Sequence, residues 1–165
     1  MTRLVTVGQC ATCGCPGAGQ CHTCGVPLDA GVFDDSRVVA APAPGEEVVL
    51  ARFRLLPTHC GVLQYFAQFT DRYAKDPSRV ATPGYQWQIR CDTQPLDPYL
   101  SFGHLINPWG LNGFPVHIRL AEGTAMEFTV RNTGASRADT LTEVGGRILG
   151  RHWYDIRYGG APGRL

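Results

Sequence analysis

The chain has 165 residues, 44% of them hydrophobic, and its 15 basic and 14 acidic residues leave a formal net charge of +1. This length suits one domain with a small appendage, and the apolar content is enough to build a core. The near-zero charge excludes a long-range field that would concentrate nucleic acid or an anionic membrane. No stretch approaches the roughly 18 apolar residues of a membrane-spanning helix. The N-terminus has no basic patch followed by an apolar run, so we expect no secretory signal.

The first part of the chain, residues 1–36, is rich in Cys and Gly and contains two copies of the pattern Cys-x-Thr-Cys-Gly. The copies supply Cys10 with Cys13 and Cys21 with Cys24. In a reducing cytoplasm, cysteines with this spacing are metal ligands more often than disulfides. Each copy can form a tight loop that directs its thiolates at one centre, and four thiolates suit tetrahedral Zn²⁺. We therefore predict a structural zinc site that leaves no coordination position open.

Other interpretations of the cysteine pattern stay open at this level. The same thiolates could hold iron, and disulfides would form in an extracellular particle. Cys15 and His22 are spare candidate ligands, so the ligand set is not unique. The pattern resembles the paired knuckles of zinc ribbons and rubredoxin-like modules. That resemblance implies a minimal zinc loop, which would dock a protein more readily than nucleic acid.

Beyond the cysteines, the sequence predicts a linker and then a series of short strands. Residues 37–47 include two prolines, which resist helix formation, and are predicted as a semi-extended linker. Runs with strand-like alternation of apolar and polar residues follow at 48–55, 62–69, 85–92, 116–120, 126–131 and 148–156. The cleanest alternation places Tyr85, Trp87, Ile89 and Cys91 on one face. Turn signals such as Thr82-Pro83-Gly84 separate the runs.

This series of short strands predicts a mainly β fold. No window of helix length carries an apolar stripe with a period of 3.6 residues. Several short strands with turns between them favour an antiparallel sandwich of the jelly-roll kind, with a split barrel as the main competitor. The predicted division is a zinc-binding cysteine loop at 1–36, a linker at 37–47 and a β-sandwich domain at 48–165.

The sequence offers no recognisable catalytic constellation, so we predict a protein that is not an enzyme and has no catalytic or cofactor-binding residues. His59 and Cys60 are adjacent, and adjacent residues of a strand point to opposite faces, so they cannot pair as base and nucleophile there. Cys60 and Cys91 are expected to be small core residues. A cupin is rejected because His117 and Glu122 lack the second nearby histidine that cupins use.

Three strings carry a resemblance to a family: Ile106-Asn107-Pro108-Trp109-Gly110, residues 114–120 and residues 145–154. Together they span a region that resembles the small β-sandwich structural proteins of tailed-bacteriophage virions. The resemblance implies a non-enzymatic virion protein, assembled in the host cytoplasm, that decorates a capsid or sits at a portal or tail vertex. Its implied partners are the major capsid, portal or tail proteins and a possible second copy, with no membrane and no nucleic acid. No functional residue is carried over.

A second function from a different class is also consistent with the sequence. In it, the protein is a small bacterial adaptor or regulator whose zinc loop binds a protein or a nucleic acid. Under either function, Trp109, Phe114, Trp153 and Tyr154 are expected in the core, or as anchors of a subunit interface.

Overall fold

The computed structural model describes residues 26–27, 29–71, 82–96, 114–135 and 140–154. Within these residues the chain forms eight strands: β1 (Gly31–Ala40), β2 (Glu47–Arg54), β3 (His59–Thr70), β4 (Tyr85–Cys91), β5 (Gln94–Pro95), β6 (Phe114–Leu120), β7 (Ala125–Asn132) and β8 (Glu143–Tyr154). They make two four-stranded sheets, sheet I in the order β1-β8-β3-β6 and sheet II in the order β2-β7-β4-β5. All pairings are antiparallel. The predicted mainly β sandwich is confirmed.

The strand pairing is that of a jelly roll. β1 pairs with β8, β2 with β7, β3 with β6 and β4 with β5, so the chain doubles back on itself as one long ribbon. The ribbon is rolled so that these pairs alternate between the sheets, and the β3–β8 and β4–β7 pairings complete each sheet. Eight strands wound in this way are the two Greek keys of a jelly roll. Two separate sheets also exclude the split barrel.

The ribbon turns at Asp92 and Thr93, which have φ angles of 50° and 71°. A two-residue hairpin loop with both φ angles positive matches the twist of the flanking strands, but it is unfavourable for residues other than glycine. Asp92 offsets this cost through bonds to β7. Its Oδ1 accepts a hydrogen bond from the Ala125 amide at 2.8 Å, and its own amide donates to the Ala125 carbonyl at 2.8 Å.

The core fills the space between the sheets. Trp87, Phe66 and Phe128 are among its largest fully buried side chains, and the Phe128 ring lies 5.8 Å from both other rings. The Trp87 indole N–H donates to Thr82 Oγ1 at 3.0 Å, so this buried polar atom is satisfied. Tyr85, Trp87 and Ile89 are buried as their alternation predicted.

The first strand corrects the predicted domain division. Gly31–Ala40 form β1, which pairs with β8 along its whole length, so the linker prediction is wrong for residues 37–40. Phe33, which the sequence placed in the cysteine loop, is only 3% exposed in the core. The two prolines that suggested a linker lie in the short connection between β1 and β2, where their missing amides interrupt no ladder. The sandwich therefore begins at β1.

Candidate functional site

The outer face of sheet I carries exposed apolar side chains. Val32 and Val38 on β1 are 56% and 57% exposed, and Tyr65 on β3 is 40% exposed. The register places Val38, Gly145 and Phe69 in one row across β1, β8 and β3. Side chains of one row that share a face form a continuous surface. Val38 and Phe69 therefore form one apolar row, while Val32 and Tyr65 lie in separate rows of the same face.

Gly145 lets the side chains of Val38 and Phe69 approach each other across β8, and a depression lies next to this row. A Cβ atom at this position would lie 2.9 Å from Val38 Cγ2 and 3.3 Å from Phe69 Cβ. The depression next to this row has a volume of about 390 Å³, and Val38, Phe69, Arg37 and Arg147 are among its lining residues. It is open and shallow, so it suits an apolar side chain of a protein partner better than an enclosed small molecule.

Charges beside the depression are partly paired. Arg147 donates from Nε to Asp34 Oδ1 at 2.8 Å and from Nη2 to Asp34 Oδ2 at 2.5 Å. The hydrogen bond to Arg147 lowers the pKa of Asp34, and the same bond raises the pKa of Arg147. The Arg37 side chain, by contrast, has no hydrogen bond or ion pair with any of the described residues. It lies on the other face of β1 from Val38, because adjacent residues of a strand point to opposite faces.

The N-terminal part of the chain is anchored on the same outer face. Val26 and Ala30 are 2% and 6% exposed, and they form a small apolar cluster with Val62 and Trp153. Arg151 Nη1 donates to the Ala30 carbonyl at 3.1 Å, which fixes the backbone there. The segment that follows the predicted zinc ligands is therefore held against sheet I and does not hang from a linker.

The outer face of sheet II differs because it is polar. Alternate residues of β2, β7 and β4 on this face include Glu47, Arg52, Gln86, Gln88, Arg90, Glu127 and Arg131. Arg90 Nη1 lies 2.5 Å from Glu47 Oε1, and Arg90 Nε donates to Gln88 Oε1 at 3.1 Å. A face of charged and polar side chains is well solvated and gains little from apolar contact. The two outer faces are therefore chemically distinct.

A histidine pair lies at one end of the sandwich. The rings of His59 and His152 have centroids 5.6 Å apart, with Phe53 5.8 Å from His152 and Tyr154 5.8 Å from His59. Burial lowers the pKa of His152, and the neighbouring His59 lowers it further. The described residues contain no group of three or more His, Cys, Asp or Glu side chains that could hold a metal. The pair is therefore part of an aromatic stack that closes this end.

The predicted zinc ligands lie outside the described residues, as do the spare candidates: Cys10, Cys13, Cys21, Cys24, Cys15 and His22. The zinc site consequently stays a prediction. Of the aromatics expected in the core, Phe114 packs partly against it, Trp153 packs on the outer face of sheet I, Tyr154 is 46% exposed, and Trp109 is outside the described residues.

The two described cysteines lie in different environments. Cys91 packs partly against the core as predicted, and burial raises the pKa of its thiol, with a smaller effect from the Asp92 charge. Cys60 is opposite Trp153 on the outer face of sheet I, so the prediction of a core position is wrong for this residue. His59 is opposite Tyr154, on the other face from Cys60, as adjacency in a strand requires.

No protein-family model matches the chain, no curated protein is significantly similar to it, and no solved structure is significantly similar to its fold. Among the described residues, none belongs to a helix long and apolar enough to cross a membrane.

Sequence reasoning missed the apolar outer face of sheet I. The apolar residues Val32 and Val38 could have indicated this face, but the sequence-based division placed both of them outside the sandwich. Only the strand register shows that they share a face with Tyr65 and Phe69.

Proposed function

We propose that this protein is a non-enzymatic structural component of a bacteriophage virion, either a capsid decoration protein or a component of a portal or tail vertex. It acts by protein–protein contact with capsid, portal or tail proteins of the same particle. The observation that carries this proposal is the contrast between the polar outer face of sheet II and the exposed apolar side chains on sheet I. The jelly roll is a fold of viral capsid domains. Because one fold hosts many functions, the surface and not the fold supports the proposal.

Tyr65 is the best candidate anchor of this contact. It projects from the outer face of sheet I and is 40% exposed, so a partner can bury its remaining surface. Burying a large apolar side chain contributes about 1.5–3 kcal/mol, and tyrosine is enriched among the residues that dominate interfaces. The neighbouring depression beside Phe69 would receive an apolar side chain from the partner.

The cysteine segment is proposed as a zinc-stabilised extension of the same surface. Cys24 is two residues from Val26, whose side chain is buried on sheet I. Chain geometry keeps the Cα atoms of these two residues within about 7 Å. The proposed ligands Cys10, Cys13, Cys21 and Cys24 therefore end two residues before this anchored position of the chain. One partner could then contact both elements.

We expect Tyr65→Asp to reduce incorporation into virions about tenfold, because a carboxylate on the contact surface must be desolvated without a partner charge. The measurement is quantitative mass spectrometry of purified particles from the phage that encodes the chain. The matched control is Gln86→Asp, which makes the same change of charge on the outer face of sheet II. Wild-type incorporation of Tyr65→Asp, or absence of the wild-type chain from particles, would contradict the proposal.

We expect about one zinc ion per chain in protein made in a zinc-replete cytoplasm, because four thiolates complete the coordination of one Zn²⁺. Cys10→Ser or Cys24→Ser should abolish zinc retention in metal analysis, since removing one thiolate opens the site. Cys60→Ser and Cys91→Ser are the controls and should retain the metal. Iron in place of zinc, or no metal in the wild-type protein, would refute this assignment.

A further inference from the structure

β1 lies at an edge of sheet I and directs backbone groups away from the sandwich. The Ala41 amide donates to the Thr142 carbonyl at 2.9 Å, at the continuation of the β1–β8 register. Hydrogen-bonded pairs alternate along an antiparallel ladder. The odd-numbered residues of β1 therefore bond to β8. The even-numbered ones, which include Val32, Asp34, Ser36 and Val38, direct their N–H and C=O groups outward.

No strand in the described part of the chain pairs with this outward edge. β2 approaches β1 on that side, but its contacts there are made with side chains of β1. The Arg52 amide donates to Asp35 Oδ2 at 2.8 Å, and the rings of Phe33 and Phe53 stack with centroids 4.1 Å apart. β1 has 10 residues, most of them exposed. A long, exposed edge of this kind is a template for a further strand.

The sequence of β1 is complementary to itself in an antiparallel pairing centred on Ser36. This register places Asp35 of each copy opposite Arg37 of the other, which gives two symmetric opposite-charge pairs. The register centred on Asp35 would instead place two carboxylates opposite each other, and directly opposed like charges are destabilising. Among the residues that the structure describes, the Arg37 side chain has no hydrogen-bond or ion-pair partner. Charge complementarity therefore selects the register centred on Ser36.

We propose that two copies of this chain associate through β1, with a twofold axis at Ser36, so that their four-stranded sheets I join into one continuous sheet. The interface is isologous, because the same strand contributes from both copies. Backbone hydrogen bonds from the even-numbered residues supply affinity, and the Asp35–Arg37 pairs set the register. This association does not depend on the proposed virion role.

The first test is the oligomeric state of the full-length, metal-loaded chain, measured by size-exclusion chromatography with light scattering over a range of concentrations. We expect a dimer for the wild type and a monomer for Ser36→Pro. Proline at position 36 removes only an outward N–H, because the bonds to β8 come from odd-numbered residues. Ser36→Ala is the matched control: it keeps the N–H and should remain dimeric. Circular dichroism verifies that all forms are folded.

The second test determines the register in which the β1 strands of the two copies pair. A photo-crosslinking amino acid in place of Ser36 should link to residues 34–38 of the second copy, as located by mass spectrometry. Arg37→Glu should weaken the dimer at least about tenfold, because it places carboxylates opposite each other. A monomeric wild type, a dimeric Ser36→Pro, or crosslinks outside 34–38 would overturn the proposal. A monomeric wild type would leave the virion role standing. Wild-type incorporation of Tyr65→Asp would remove that role without affecting the dimer.

Discussion

Gly150→Ala is expected to lower the free energy of unfolding by about 3 kcal/mol, which is a large fraction of the roughly 5–15 kcal/mol that stabilises a typical domain. A Cβ atom at this position would lie 2.2 Å from the Val62 carbonyl oxygen and 2.4 Å from Phe33 Cζ. The carbonyl oxygen belongs to the adjacent strand β3, and Phe33 is fixed in the core by its stack on Phe53. Neither neighbour can withdraw without separating strands. Urea unfolding monitored by circular dichroism measures the loss.

Gly145→Ala, on the same strand, is the matched control. Its added methyl would lie 2.9 Å from Val38 Cγ2, and Val38 is 57% exposed, so its side chain can rotate toward solvent. The Arg37 carbonyl oxygen would lie 3.0 Å away, which is much less close than the Val62 carbonyl oxygen is to a methyl at Gly150. We expect a loss of about 1 kcal/mol. Equal losses for the two variants would show that a general cost of alanine in β8 is responsible, and not the contact of Gly150 with Phe33 and the backbone.

Deleting residues 1–36 is expected to abolish folding, whereas deleting residues 1–24 should leave a cooperatively folded sandwich. The longer deletion removes more than half of β1, including Phe33 from the core. It also removes the bidentate Asp34–Arg147 pair and the Asp35 contact with the Arg52 amide. The shorter deletion keeps Val26 and Ala30 on sheet I. Thermal unfolding and the dispersion of amide resonances distinguish the two outcomes.

These truncations test the revised domain boundary directly. The sequence-based division treated residues 1–36 as a unit separate from the sandwich, and it would predict that both truncated forms fold. The structure moves the boundary to before Val26, because β1 and the cluster at Trp153 both belong to the sandwich. A folded product after deletion of residues 1–36 would show that β1 is dispensable.

Central strands could be predicted from the sequence because their burial repeats every second residue. β4 is the clearest case: Tyr85, Trp87 and Ile89 are buried, and the residues between them are only partly buried. β1 could not be predicted in this way, since it is an edge strand in which Phe33 is the only residue classed as buried. β5, with two residues, is too short to show any alternation. The alternation of apolar and polar residues predicts a strand only where one face of that strand is buried over several residues.

The candidate surface was less predictable than the fold. Tyr65, Phe69 and Val38 come from β3 and β1, which are distant in the sequence and become neighbours only through β8. A bulge between Leu63 and Tyr65 also shifts the faces of β3, which counting by twos along the sequence cannot detect. The zinc prediction, in contrast to the candidate surface, does not depend on residues that are distant in the sequence. It rests on local spacing in one short segment, so it needed no knowledge of the fold.

The rolled ribbon has a consequence for how the protein is made. Pairing of β1 with β8 joins positions as far apart as Gly31 and His152, which are separated by 121 residues. During synthesis β1 emerges before β8, so its hydrogen-bonding partner is absent until β2 to β7 have also been translated. The hairpin at Asp92–Thr93 can form as soon as it is synthesised, because its strands β4 and β5 are adjacent in the sequence. Non-local pairing folds slowly, and unpaired strands are prone to aggregate. The yield of folded protein in cells should therefore depend on whether β1 is kept from aggregating until β8 has been synthesised.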